Sequence, residues 1–196
     1  MVAAAGALAF GMSACSSPRP SATTSTTAPP TSSSTSSTST TAGLGHCQAK
    51  DLAGSVLGSE GAAGTQERTF GLRNTSGAPC ALEGYPGAQL YDKNGTALPT
   101  TVVRGGPYSF TSMAPTAVTI APGASAYFNV GYSDVPTASD TGQCPTAASL
   151  WVTPPDDVDH LVVSVSIQAC GGGKLNVSPV FAAGSPGSQT TAAGPP

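Results

Sequence analysis

Apolar residues in this chain recur mostly at every second position, in short runs broken by glycine and proline. That period belongs to strands with one face buried, whereas a helix needs apolar residues at i, i+3, i+4 and i+7. No helical stripe survives, because Gly or Pro interrupts nearly every window of that length. The alternation predicts a first short strand using Leu52, Val56 and Leu57. A second follows over 66–75, with Phe70 and Leu72 inward and Thr69, Gly71 and Arg73 outward. After the turn Asn74-Thr75-Ser76-Gly77-Ala78-Pro79, Cys80 and Leu82 resume the inward face. Ala88 and Leu90 run into Asn94-Gly95, a strong hairpin signal, and Leu98 opens the return strand. Val118 and Ile120 lead to Ala121-Pro122-Gly123-Ala124, whose Pro-Gly suits the centre of a type II turn. Ala126, Phe128, Val130 and Tyr132 follow at strict period two. Leu150 with Val152, then Leu161, Val163, Val165 and Ile167, then Leu175 with Val177 complete the set. About eight or nine antiparallel strands of this kind predict an all-β domain, an immunoglobulin-like antiparallel β-sandwich.

The flanks differ in kind. Residues 1–14 (MVAAAGALAFGMSA) are small and apolar and precede Cys15. They have the apolar core and small-residue end of a secretory signal, without the basic start, which a start upstream of Met1 would supply. Met12-Ser13-Ala14-Cys15 resembles a bacterial lipobox, with Met12 where Leu is usual. That assigns Cys15 as the lipidated first residue of the mature chain, anchored to the membrane through its acyl chains. From Ser16 to Ala42, nineteen of 27 residues are Ser or Thr and four are Pro, with Arg19 the sole charge. Nothing there can be buried to offset ordering entropy, so 15–43 reads as a lipidated cysteine followed by a disordered tether. Its ends would lie about 30 Å apart as a coil and about 80 Å apart fully extended. The hydroxyl density also suits O-glycosylation. The folded unit is then 44–181, and 182–196 (AAGSPGSQTTAAGPP) is a disordered tail.

Composition narrows the class further. Seven basic and ten acidic side chains give a net charge of −3, with only 9% of residues charged. Lacking a basic run, the chain has nothing to neutralise a phosphate backbone, which excludes nucleic acid as an expected partner. An odd count of five cysteines in an exported chain calls for an explanation, and lipidation of Cys15 supplies one. Cys47, Cys80, Cys144 and Cys170 remain, without a C-x-x-C spacing that would suggest zinc. Of the three pairings they allow, Cys47–Cys80 and Cys144–Cys170 are favoured, because each closes a local loop without crossing the domain.

Candidate chemistry is sparse. No G-x-S-x-G elbow exists, and the only bases in the domain are His46 and His160. His160 opens a strand and reads as a solvated residue rather than a triad member, so no catalytic residues are assigned and the chain is not expected to be an enzyme. Asp156, Asp157 and Asp159 form a tight acidic loop but lack EF-hand spacing, so no metal or cofactor is assigned. The glycine-rich stretches 58–64 and 171–174 lack Walker spacing and read as turns. Tyr91, Tyr127 and Trp151 alternate against the inward residues, which points them outward as a binding surface. The competing expectation is that the loop Gly105–Phe110 folds over that sheet.

Cys47 with Leu52, Gly61-Ala62-Ala63-Gly64, Phe70-Gly71-Leu72-Arg73-Asn74-Thr75-Ser76, Cys80-Ala81-Leu82-Glu83-Gly84-Tyr85-Pro86-Gly87, Ala121–Ala126 and Ala169-Cys170-Gly171-Gly172 occur in this order. The combination resembles the actinobacterial exported family catalogued as domain of unknown function 4232, found in mycobacterial and streptomycete lipoproteins. The resemblance implies a lipid-anchored envelope protein on the extracytoplasmic face of the cell membrane, with a small β-sandwich and no established activity. The expectation is therefore a non-catalytic module contacting an envelope protein or glycan. The alternative is a carrier or sensor of a small ligand or metal ion.

Overall fold

The computed structural model describes residues 43–140 and 143–185. Residues 1–42, which hold the expected signal segment, Cys15 and all but the last residue of the expected tether, and residues 186–196 of the expected tail lie outside the described residues. After a 3₁₀ turn at Ala49–Asp51, the strands are β1 (Leu52–Ala62), β2 (Thr65–Asn74), β3 (Cys80–Leu82), β4 (Gly87–Tyr91) and β5 (Thr101–Arg104). They continue as β6 (Val118–Ile120), β7 (Ser125–Ser133), β8 (Thr146–Thr153), β9 (Leu161–Gln168) and β10 (Lys174–Val177). The fold is all-β, with ten strands in three sheets among the described residues. A five-stranded sheet runs β1-β2-β7-β10-β5, a three-stranded sheet β4-β8-β9, and β3 pairs with β6.

The period-two pattern placed the core correctly. Phe70, Leu72, Ala126, Phe128 and Val130 from the large sheet are fully buried, as are Leu150 and Val152 from the small one and Leu82 from β3. All belong to one core cluster, so the three sheets share a single interior. Phe70 and Phe128 are register partners across β2 and β7, and their rings stack with centroids 5.0 Å apart. The large and small sheets approach where β1 crosses β9. A methyl group at Gly54 would overlap Leu161 Cδ1 and Val163 Cγ2, so glycine is what permits the approach. Arg68 of β2 spans the same seam, donating through Nε to the Tyr132 hydroxyl and through Nη2 to the Ser166 carbonyl, each at 3.2 Å.

Two turns show how sequence becomes register. Gly123 has φ +77° and Ala124 N donates to Ala121 O at 3.0 Å, the predicted Pro-Gly turn between β6 and β7. At Asn94-Gly95 the loop is wider than a two-residue hairpin. Asp92 N donates to Thr96 O, and the Asp92 carboxylate accepts from the N–H groups of Asn94 and Thr96, both at 2.8 Å. The chain then returns as a bridge from Ala97 to Tyr91 rather than as a strand opened by Leu98. It crosses instead to β5, which pairs in parallel with β10. The expectation of a wholly antiparallel architecture fails there, because Pro99 ends the hairpin before a second ladder forms. Val56 and Leu57, read as part of a first strand, lie in β1 and are exposed at 37% and 47%, at the register shift between Val56 and Gly58.

Both favoured disulfides are present, Cys47–Cys80 and Cys144–Cys170, with Cα separations of 5.0 and 5.1 Å. Asn74 ties the turn that follows β2. Its buried amide donates to the carbonyls of Ala78 and Ile120 and accepts from the Ser76 N–H and hydroxyl. Replacing Gly54 by Ala should lower stability by about 1–3 kcal/mol through overpacking, read as a lower urea midpoint with unchanged slope. An unaltered midpoint would mean that the β1–β9 seam yields freely.

Candidate functional site

The small sheet turns Leu90, Leu150 and Val163 to the core and sets Gln89, Trp151 and Val162 on its outer face as register partners. Tyr91 lies two residues beyond Gln89 on β4, and His160 lies two residues before Val162, just ahead of β9. Both therefore stand diagonal to Trp151, within reach of long side chains across a pleated sheet. The Tyr91 and Trp151 ring centroids are 4.2 Å apart and those of Trp151 and His160 3.9 Å apart, the second pair within 8° of parallel. Because Tyr91 and His160 flank the central strand β8 on opposite sides, both faces of the indole are covered. Trp151 is partly buried, and the row Tyr91–Trp151–His160 meets solvent mainly through ring edges and its two outer faces. Val162 is 56% exposed beside it and Val158 93% exposed at the loop before it. A stacked aromatic pair of this kind contributes about 0.5–1.5 kcal/mol beyond the area it buries.

The structure brings together Tyr91 and Trp151 and places Tyr127 elsewhere. Tyr127 is on β7 of the large sheet, where its ring lies 6.1 Å from that of Phe181, and the two residues exchange backbone hydrogen bonds. The single three-residue surface expected from alternation is thus two surfaces, because period two fixes the side of a strand but not which sheet holds it. His160, read as a bare strand-start residue, is the third ring of the row. Its spacing from Trp151 becomes meaningful only once β8 and β9 are paired.

The competing cover is also located. Tyr108 and Phe110 stack at 5.1 Å and lie on the outer face of the large sheet, where a side chain at Gly131 would come within 2.5 Å of the Tyr108 ring. Phe110 O accepts from Asn129 Nδ2 at 3.0 Å, and Thr69 Oγ1 donates to Asn129 Oδ1 at 3.0 Å, so that loop is fastened to a buried polar row. Among the described residues this loop covers the large sheet and not the Trp151 face of the small one. Beside Phe110 opens a cleft of about 220 Å³ lined by Glu60, Gly61, Ala62, Thr65 and Glu67.

The acidic loop serves the fold. Asp157 accepts from the N–H groups of Ala49 at 2.7 Å, Val158 at 2.7 Å and Asp159 at 3.1 Å. Its carboxyl is held below the usual range first by the Ala49 bond, with the charge of His46 adding a little. His46 Nε2 is hydrogen-bonded to Pro155 O, so the segment entering the domain is fastened to this loop at two points. Gly171 and Gly172, part of a glycine-rich stretch read as a turn, donate their N–H groups to Asp140 at 2.8 and 3.2 Å. Asp140 also accepts from Thr137 N at 2.7 Å. Its carboxylate is within 4.8 Å of the Cys144 and Cys170 sulfurs, but these are bonded to each other and have no thiolate to offer a metal.

A family model described as Domain of unknown function (DUF4232) matches residues 47–181. The chain belongs to that family. The match begins at Cys47 and ends at Phe181, and so takes in both disulfides, the aromatic row and the Tyr108–Phe110 cover of this DUF4232 domain. No curated protein and no solved structure matches the chain.

The Asp140 carboxyl is lowered from 3.8 to about 2, chiefly by the backbone N–H of Thr137 and then that of Gly171. A carboxylate so depressed adds stability above its unfolded pKa and loses it as pH falls through the folded value. Asp140→Asn should therefore destabilise the domain at neutral pH. The gap from the parent should narrow as pH drops from about 4 to about 2, followed by chemical denaturation. A gap independent of pH would assign the loss to something other than this charge.

Proposed function

We propose that the chain is an exported, lipid-anchored envelope protein whose DUF4232 domain acts as a non-catalytic binding module. The observation that carries this reading is the stacked row Tyr91–Trp151–His160 on the outer face of the small sheet with exposed Val158 and Val162 around it, beside a large sheet whose outer face has an aromatic cover. Aromatic rings on a rigid sheet make contact area at low entropic cost, which is why they are enriched where proteins bind. The address rests on sequence: Met12-Ser13-Ala14-Cys15 supplies a lipidation site, and the pairing of the other four cysteines leaves Cys15 as the odd one. The Ser/Thr-rich stretch would then hold the domain clear of the membrane it is anchored to. The cleft between Glu60, Glu67 and Phe110 supports a second reading, carriage of a small ligand.

Intact mass of protein from its native envelope should show acyl chains on a chain beginning at Cys15, and an unmodified Cys15 thiol would remove the anchor. Pull-down from envelope extract should recover a partner that a Tyr91→Ala/Trp151→Ala double variant, folded by circular dichroism, loses. Equal recovery by both proteins would shift the reading to the cleft.

A further inference from the structure

Resting on that reading of the small sheet as a binding face, we infer that its occupant is a cationic polypeptide segment, rich in Lys or Arg, rather than a sugar. Two independent features of the face carry this, the way its rings are spent and the charge around it.

Sugar platforms present the flat face of an indole or phenol to the ring hydrogens of a pyranose. Here the largest ring has no face to present. Tyr91 lies against one side of Trp151 at 4.2 Å and His160 against the other at 3.9 Å. What remains is the outer face of Tyr91, the outer face of His160 and a row of edges, with Val162 and Val158 alongside. Such a surface suits an extended chain whose apolar side-chain stems run along the row.

The rim is acidic at its His160 end. Asp92 follows Tyr91 directly, and Asp159 precedes His160 directly, with Asp156 and Asp157 in the same loop. Asp92 and Asp157 are committed to their own turns through backbone N–H groups, which keeps both ionised. Asp156 and Asp159 are exposed. Lys93 stands beside Asp92, Lys50 beside the Ala49 that Asp157 holds, and His46 close enough to Asp157 for its charge to act there. At the Tyr91 end one carboxylate meets one ammonium group, so the excess of negative charge lies at the His160 end, where Asp156 and Asp159 are exposed, on a chain of net charge −3. Complementary charge steers a positive partner to the face and repels an acidic one.

The chain has one tryptophan, and it is the centre of the face, so its emission reports occupancy directly. The full chain is titrated with a ten-residue Lys/Arg/Leu peptide, with its Glu/Leu counterpart, and with a chitin-derived oligosaccharide. The expected result is a saturable Trp151 change with the basic peptide only, weakened about tenfold by raised salt or by Asp156→Asn/Asp159→Asn. Asn accepts positive φ readily, so the turn at Asp156, where φ is +58°, survives that substitution. A response to the oligosaccharide without one to the basic peptide would overturn the inference while leaving the face as a binding surface. An equal response to both peptides would overturn the role of charge. Silence with all three, together with equal envelope recovery by the Tyr91→Ala/Trp151→Ala variant, would remove the face itself.

Discussion

The register of β2 on β7, set by Phe70 opposite Phe128, is the constraint from which the remaining structure follows. In a chain with 24 glycines and few large side chains, this is the one place where two big rings meet at the centre of the interior. A slip of β2 by one residue would send Phe70 and Leu72 to the outer face and part them from Phe128, Ala126 and Val130. With that register held, Gly131 falls beneath Tyr108 and Phe110, Thr69 falls opposite Asn129, and Gly54 of β1 comes against β9. The small sheet is thereby positioned by the large one although no ladder joins them.

Much of this was legible from residue order alone. Alternation identified the buried set, because a strand with one face in a core has no other way to place Ala126, Phe128, Val130 and Tyr132. The disulfide pairs were legible because short loops are closed more readily than long ones. Sheet membership was not. Tyr91 and Trp151 share a face with His160, while Tyr127 sits on another sheet, and nothing local distinguishes these cases. The parallel pairing of β5 with β10 was hidden for the same reason, being a contact between segments some seventy residues apart. The Asp140 anchor was hidden too, since a carboxylate that meets two glycine N–H groups thirty residues away leaves no spacing to recognise.

The two outer faces are built on opposite principles. On the large sheet Gly131 makes room for a lid of rings, and Asn129 pins that lid through the Phe110 carbonyl. On the small sheet the rings grow from the strands themselves and cover one another. In the first arrangement the rings come from a loop laid over the sheet, and in the second they belong to the strands and the loop ahead of β9. Family membership of the DUF4232 domain extends over both faces.

The bond from Cys47 to Cys80 has a mechanical meaning. Any load on the chain ahead of residue 43 reaches Cys47 before it reaches β1, and a covalent route then diverts it into β3. The long edge strand Leu52–Ala62 is bypassed, so tension from that side cannot unzip the large sheet rung by rung.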